Sequence, residues 1–475
     1  MTTAPEGHQV VYKLYKARYF GLFSIVLLNI ATGFVWLSYS SVPDAARVYL
    51  NADDFLVSLT SILYFIAYII MAPVSGWMFE KHGIKKSLIF GASIQIVGAW
   101  LRYFAKFIDS TPDSNTGRLV LTMVGQVIAA GAQPFFLNLP PKFAAVWFSE
   151  NGRTTATMIG SVSNALAAAL AQLIIPIVTN NDVPSTMSNT TLFTAILAVV
   201  ALIPALFVAD RPPTPPSPSA AEALQETTEE PFKTSLKKTT SNKQFLLLMV
   251  IFGSLVGVFN TVTSLIATFA KPYGYTVNEA GYFGAAMVVA GLIGAGISGP
   301  VIDKTKQYKT LCKIGVPVAT IFLVALIFVV RVDCFAGIMA VMVFIGLSAF
   351  AVLPAALELA VEITYPVTPA SSASILWAFG QLVAVIMLFV CSALQNDALS
   401  LDKGLNPPLI FLAVWAAVFG AIPIMLITSP YKRLEAEAAK RKRDEAGSLA
   451  VFGGANDDKQ EYLEEKESAN VANVV

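Results

Sequence analysis

Ionised side chains are few: Asp, Glu, Lys and Arg make up 13% of the 475 residues, where soluble domains carry roughly 25%. That shortfall excludes a set of soluble domains each coated in charge. Histidine is nearly absent, with only His8 and His82, both in polar stretches, so no imidazole stands ready inside an apolar segment for a metal or a proton relay. The three cysteines, Cys312, Cys334 and Cys391, are far apart and lack metal-ligand spacing, which leaves them as membrane-helix or boundary thiols. The sequence has no glycine-rich phosphate loop and no nucleophile beside a plausible base, so it reads as neither an enzyme nor an ATP-driven pump on its own. A formal net charge of +1 offers no basic face for nucleic acid. No cofactor is implied.

What is abundant is apolar. Hydrophobic residues reach 55% and the mean hydropathy is +0.65, and runs such as 245–270 and 314–330 are long enough to cross roughly 30 Å of hydrocarbon, the second only just. Apolar runs between polar clusters predict twelve transmembrane helices near 18–41, 54–79, 87–107, 118–140, 154–178, 190–209, 244–270, 279–302, 309–331, 335–361, 371–394 and 408–428. Between the sixth and seventh lies a Pro-rich segment, RPPTPPSPS, followed by mixed charges, which predicts a flexible linker over 210–243. The expected organisation is therefore an all-α membrane protein: a polar N-terminus 1–17 without a cleavable signal, a six-helix bundle 18–209, the linker, a second six-helix bundle 244–428 and a tail 429–475.

Of the 32 Lys and Arg, 25 fall on the side of the N-terminus, linker and tail and 7 on the other, which predicts both termini in the cytosol. The sequon at Asn189, expected to be glycosylated, lies on the outer side in this arrangement. The tail stretch LEAEAAKRKRDEAG reads either as a short basic helix touching anionic lipid or as the usual cytosolic charge excess followed by disorder after Gly447.

An internal repeat supports the six-plus-six division. Gly76 is followed by Glu80 and Lys81, with Gly83 beyond, and Gly299 by Asp303 and Lys304, each group at the inner end of the second helix of its half. Glycine, three residues, acid and base in register resemble the loop signature of the major facilitator superfamily; ordinary flanking charge is the alternative. In that reading the glycines admit close helix approach while the acids and bases gate the inner face, with Glu358 and Glu362 near the end of the tenth helix as further gating or packing groups.

Polar residues inside the spans mark the candidate site. Asn29, Thr32, Trp36 and Ser40 share a face of the first helix; the fourth carries Gln126 and Gln133, the fifth Asn164 and Gln172, the seventh Asn260 and Ser264, and the eleventh Trp377 and Gln381. Either these amides glue helices together or they converge on a cavity lined by Trp36, Gln133, Asn164, Asn260, Trp377 and Gln381. A Trp-and-amide cavity suits a small solute bearing a hydroxyl or a quaternary nitrogen. Without a deep carboxylate or histidine, facilitated diffusion is the expected mechanism.

Three stretches, Phe34-Val-Trp36-Leu-Ser-Tyr39-Ser40-Ser41, Ala132-Gln133-Pro134 through Trp147-Phe148, and Glu358-Leu-Ala-Val-Glu362-Ile-Thr-Tyr365-Pro366, resemble the feline leukaemia virus subgroup C receptor-related transporters. That group of solute carriers also includes the lysosomal transporter named for disruption in renal carcinoma, and the resemblance covers roughly residues 12–430. It implies the major facilitator fold, alternating access, and a substrate among choline, ethanolamine, haem or pyridoxine. It also implies that Trp36, Gln133 and Gln381 match residues enclosing an ammonium group. Asn260 stands where that family has a tyrosine, leaving Phe259 or Trp377 to complete the cage. The expected function is carriage of a choline-like solute by a monomer in the plasma membrane, or in a vacuolar or lysosomal one. The alternatives are an exporter of haem or another amphipathic compound, a proton-coupled vitamin carrier, and a non-transporting receptor of the same fold.

Overall fold

The structure is a computed structural model in which residues 12–108, 116–179, 183–217, 220, 239–365, 367, 369–395, 406–432 and 434–435 are described. Among these, twelve helices are long and apolar enough to span a bilayer: α1 (Ala17–Leu37), α2 (Asp54–Phe79), α3 (Lys81–Phe107), α4 (Gly117–Trp147), α5 (Thr155–Val178), α6 (Met187–Ala205), α7 (Lys243–Tyr273), α8 (Val277–Ile302), α9 (Tyr308–Val329), α10 (Phe335–Thr364), α11 (Ser372–Ala393) and α12 (Pro407–Ile424). All twelve expected spans are present. Helices solve the problem set by the apolar composition, because each satisfies its own backbone groups where no water can.

The first six and last six helices form two halves that meet along two pairs, α2 with α11 and α5 with α8. On the side opposite the linker, one core cluster takes buried residues from both halves, among them Phe34, Trp36 and Phe65 with Leu265, Phe269 and Leu388. On the linker side each half keeps a separate core, around Phe79, Phe135 and Phe143 in one and Phe245, Phe252 and Leu359 in the other. The halves thus share one buried core at one face and keep separate cores at the other.

Two further ties close the first face. Lys271 Nζ pairs with the Asp44 carboxylate at 2.6 Å, joining the α7 end to a short helix, Pro43–Leu50. Gln172 of α5 donates to the Thr263 carbonyl of α7 at 2.8 Å. That glutamine lies against Gly281 and Gly284 of α8, where any Cβ would collide with it, so the α5–α8 pairing depends on both glycines.

The glycines of the repeated loop motif differ from expectation. A Cβ added to Gly76 would meet nothing within 4 Å, and at Gly299 only Met158 Sδ at 3.7 Å, so neither provides a close helix approach. The residue that must be glycine is Gly83, whose φ of +80° breaks the otherwise continuous α2–α3 rod. The side chains of Glu80 and Asp303 lie outside the described residues, while Lys81 is exposed with its ammonium 5.1 Å from the Trp77 ring. Lys304 is also exposed.

The start of the Pro-rich segment is docked, contrary to its expected flexibility. Lys13 N–H donates to the Pro215 carbonyl at 3.2 Å, the Tyr15 and Thr214 hydroxyls lie 3.1 Å apart, and Asp210 accepts from Lys85 N–H at 2.7 Å. Proline's preset φ lets such a strip lie extended at small entropic loss. The rest of the expected linker, apart from 220 and 239–243, and the tail beyond 435 lie outside the described residues. Asn189, expected between two helices, sits exposed in the first turn of α6, because that helix begins earlier than its apolar run.

Candidate functional site

The site begins with a break in α4. Pro134 has no N–H and its ring crowds the carbonyl four residues earlier, so the chain tightens into i+3 bonds, Ala132 N–H to Ala129 and Phe135 N–H to Ala132. A short helix, Gln133–Leu137, follows. It stops at Asn138 because Pro140 and Pro141 remove the next donors. The Phe136 carbonyl, which Pro140 would otherwise serve, receives the Asn29 side-chain N–H at 3.1 Å. Tyr68 donates to Asn138 Oδ1 at 2.8 Å. Discontinuous helices of this sort survive in membranes only where neighbours repair the freed backbone groups. Here the repair leaves Gln133 at the opening of a mid-span segment.

Gln133 and Asn164 from the first half face Phe259, Asn260, Trp377 and Gln381 from the second across a cavity of about 640 Å3. None of its lining residues is ionisable as Asp, Glu, His, Lys or Arg. Asn260 Nδ2 donates to Gln381 Oε1 at 3.1 Å, so α7 and α11 hold each other's amides in place. In contrast, Gln133 Oε1 and Asn164 Nδ2 are buried and have no partner. One is an acceptor and the other a donor, and both belong to the half opposite the aromatic wall. Trp377 is set by an edge contact with Phe252, ring centroids 5.4 Å apart, and Phe259 by Phe350 at 4.9 Å. Beyond the Phe259–Phe350 pair lies a second, almost wholly apolar cavity of about 520 Å3 within the C-terminal half.

Five of the six expected site residues therefore converge, and Trp36 does not. It is 1% exposed and packs edge-on to Phe65, centroids 5.4 Å apart, inside the core that closes the far face. Its place toward the α1 end, beyond the depth of Gln133, puts it above the cavity rather than in its wall. The other amides expected to share these faces bond to neighbouring helices: Asn29 as described, Gln126 Nε2 on the Thr60 carbonyl at 3.2 Å, and Gln172 across the halves. Phe350 joins the site without having been expected, since an aromatic within an apolar stretch of helix gives no sign of which way it faces.

Glu362 is buried and accepts from Leu434 N–H at 3.1 Å, tying the post-α12 segment to α10, while Glu358 is half-buried one turn earlier. The same segment caps α9: Lys309 N–H donates to the Tyr431 hydroxyl at 3.2 Å, and Lys309 Nζ reaches the Ser429 carbonyl at 2.8 Å. Burial pushes the Tyr431 phenol above its ordinary pKa, with the Lys309 bond acting the other way. Asp210, after α6, plays the corresponding part at the start of α3, and a Cβ on Gly83 would come within 2.6 Å of its carboxylate. The repeat thus extends to a side chain after each half's sixth helix that accepts from the first turn of that half's third. Asp210 is missed in sequence because it reads as the first residue of a linker.

Residues 22–388 match the family described as Major Facilitator Superfamily. Solute carrier family 49 member A3 of Xenopus tropicalis is 31% identical over 91% of this chain and 92% of its own length. The choline/ethanolamine transporter FLVCR1 of Felis catus is 27% identical, over 91% and 76%. Among solved structures, a bacterial homolog of the human lysosomal transporter Spinster, in an inward-facing and occupied conformation, superposes with a TM-score of 0.66 at 13% identity, covering 87% of this chain and 97% of that one. A D-xylose-proton symporter gives 0.65 at 17% identity, over 86% and 98%. With two halves meeting around a mid-span cavity closed at one face, the chain belongs to the major facilitator superfamily, beside solute carrier family 49, and is an integral membrane transporter working by alternating access.

Proposed function

We propose that the chain carries a small organic cation bearing a hydroxyl, choline or ethanolamine in kind, down its gradient. The observation that supports this reading is the pairing of an unpartnered acceptor, Gln133 Oε1, and an unpartnered donor, Asn164 Nδ2, with an aromatic wall of Trp377 and Phe259. A hydroxyl both donates and accepts, so one such group answers both amides. The onium end then rests on the indole face, where a desolvated cation gains about 2 kcal/mol. Because the amides and the aromatic wall belong to opposite halves, the solute is gripped best when both halves close on it, which is what alternating access requires. The names of the choline/ethanolamine relatives agree with this chemistry.

The neutral lining supports facilitated rather than proton-driven movement, and the Lys and Arg asymmetry supports a cytosolic linker face, hence a structure open to the cytosol. We place the carrier in the plasma membrane as a monomer, with no catalytic activity of its own and no nucleic-acid partner. Asn189, exposed at the outer end of α6, is the glycosylation candidate.

Radiolabelled choline uptake by purified protein in liposomes tests the proposal. Saturable uptake, unaltered by an imposed pH gradient and lost in Gln133→Leu, is the expected result; absence of choline and ethanolamine uptake overturns it. The apolar cavity behind Phe259 and Phe350 favours a second reading, an amphipathic solute with an apolar tail. Choline analogues whose N-alkyl chains lengthen should then compete progressively better, whereas the first reading expects them to lose potency.

A further inference from the structure

Arg102 lies near the outer end of α3 and is 0% exposed, although no carboxylate pairs with it among the described residues. Its Nη2 donates to the Ser38 hydroxyl and its guanidinium stands 4.9 Å from the Tyr39 ring centroid. Nε and Nη1 are buried without partners. Its aliphatic stem packs against α4, where a Cβ on Gly125 would meet Arg102 Cγ at 2.9 Å.

The groups around it share one property. The hydroxyls of Tyr39 and Tyr49 are buried and unpartnered. Tyr49 feels the charges of both Arg102 and Arg118, and the Arg118 guanidinium sits 5.0 Å from the Tyr49 ring while donating to the carbonyls of Tyr49 and Ile108 at 3.2 and 2.8 Å. Burial, reinforced by Tyr39, pushes the Tyr49 phenol up to about 12, so it stays a proton donor at any physiological pH. Two guanidinium charges and two phenolic O–H groups thus gather with free donors and, among the described residues, no paired carboxylate. Buried polar groups are nearly always satisfied, and an unpaired buried charge is among the least favourable features a folded chain can hold.

We propose that Arg102, Tyr39 and Tyr49 bind a small monovalent inorganic anion of the chloride type, with Arg118 adding to the field. Such an ion accepts from several donors at once and requires no particular geometry. It would also pin the short helix Pro43–Leu50, since Tyr49 lies on the same helix as Asp44, whose carboxylate holds Lys271 across the halves. Chloride then favours the conformer closed at the face opposite the linker. This inference does not depend on which solute is carried.

The test uses the full-length protein in nanodiscs, its melting temperature followed as sodium chloride replaces sodium gluconate at constant ionic strength. A ligand that binds only the folded state raises stability with saturation. The expected result is a saturable rise with chloride and bromide, and an apparent Kd at least tenfold weaker in the Tyr39→Phe/Tyr49→Phe double variant, which removes two donors while preserving the rings. A rise of equal size in gluconate, or one unchanged in the double variant, overturns the proposal. Should the double variant fail to fold, crystals of the wild type grown in bromide decide the matter. An anomalous peak beside the Arg102 guanidinium supports the site, and none there refutes it.

Discussion

At the residue scale, the proposed site divides its work between hydrogen bonds and an aromatic face, and each can be removed alone. Trp377→Ala should raise KM for choline roughly 10- to 30-fold with little change in kcat, as loss of a desolvated cation–π contact of about 2 kcal/mol requires. Trp36→Ala should instead lower the melting temperature, since that ring is buried against Phe65 in the closing core, and transport kinetics of the surviving folded protein separate the two cases. A pH effect belongs here as well. Tyr49 has its folded pKa raised from 10.0 to about 12, so the native state holds its proton where the unfolded chain has lost it. The stability this adds is complete below pH 10 and is lost as pH climbs through 10 to 12. Thermal melts across that window should fall less steeply for Tyr49→Phe.

At the element scale, α4 is broken where it meets the proposed site. Pro134→Ala restores a donor and permits a continuous helix, so the protein should be as stable as wild type or more so, while choline uptake falls at least about tenfold as Gln133 turns away. Uptake that survives with unchanged KM would show that the break does not position the amide. Gly83→Ala has the opposite character. Its positive φ and the Asp210 carboxylate leave no room for a methyl group, and a loss on the order of 1–3 kcal/mol is expected by thermal or denaturant unfolding. The amides of this scale also show how far the sequence could be read. Asn29, Gln126 and Gln172 are side-chain amides within the spans, as Gln133 and Asn164 are, yet they bond to carbonyls of neighbouring helices. Helical spacing assigns each to a face; only packing decides whether that face meets backbone or a hollow.

At the scale of the whole molecule, the halves are held shut at one face by a shared apolar core, the Gln172 bond and one exposed ion pair. The ion pair of Asp44 and Lys271, about 40% exposed on both sides, contributes little by itself, as surface pairs usually add less than about 1 kcal/mol. Gln172→Ala removes a buried bond between the halves, which is worth about 1 kcal/mol and so about a fivefold shift in population. Cysteines placed in the shared core should therefore become several-fold more reactive to a membrane-impermeant thiol reagent added from the side opposite the linker. Unchanged reactivity would mean that the core alone keeps that face closed.

Composition and periodicity alone determined the membrane class, the twelve helices and the repeated halves, because burying a backbone in lipid leaves a helix of sufficient length as the only local solution, and length is written in the chain. The tertiary structure decided what the order of residues cannot express. It moved Trp36 out of the candidate site, brought in Phe350, gave Asp210 and Tyr431 matching capping roles, and left Arg102 Nε and Nη1 buried without an acceptor. Each of these depends on which helix lies beside which, and close packing between elements far apart in sequence sets that choice at distances no local pattern records.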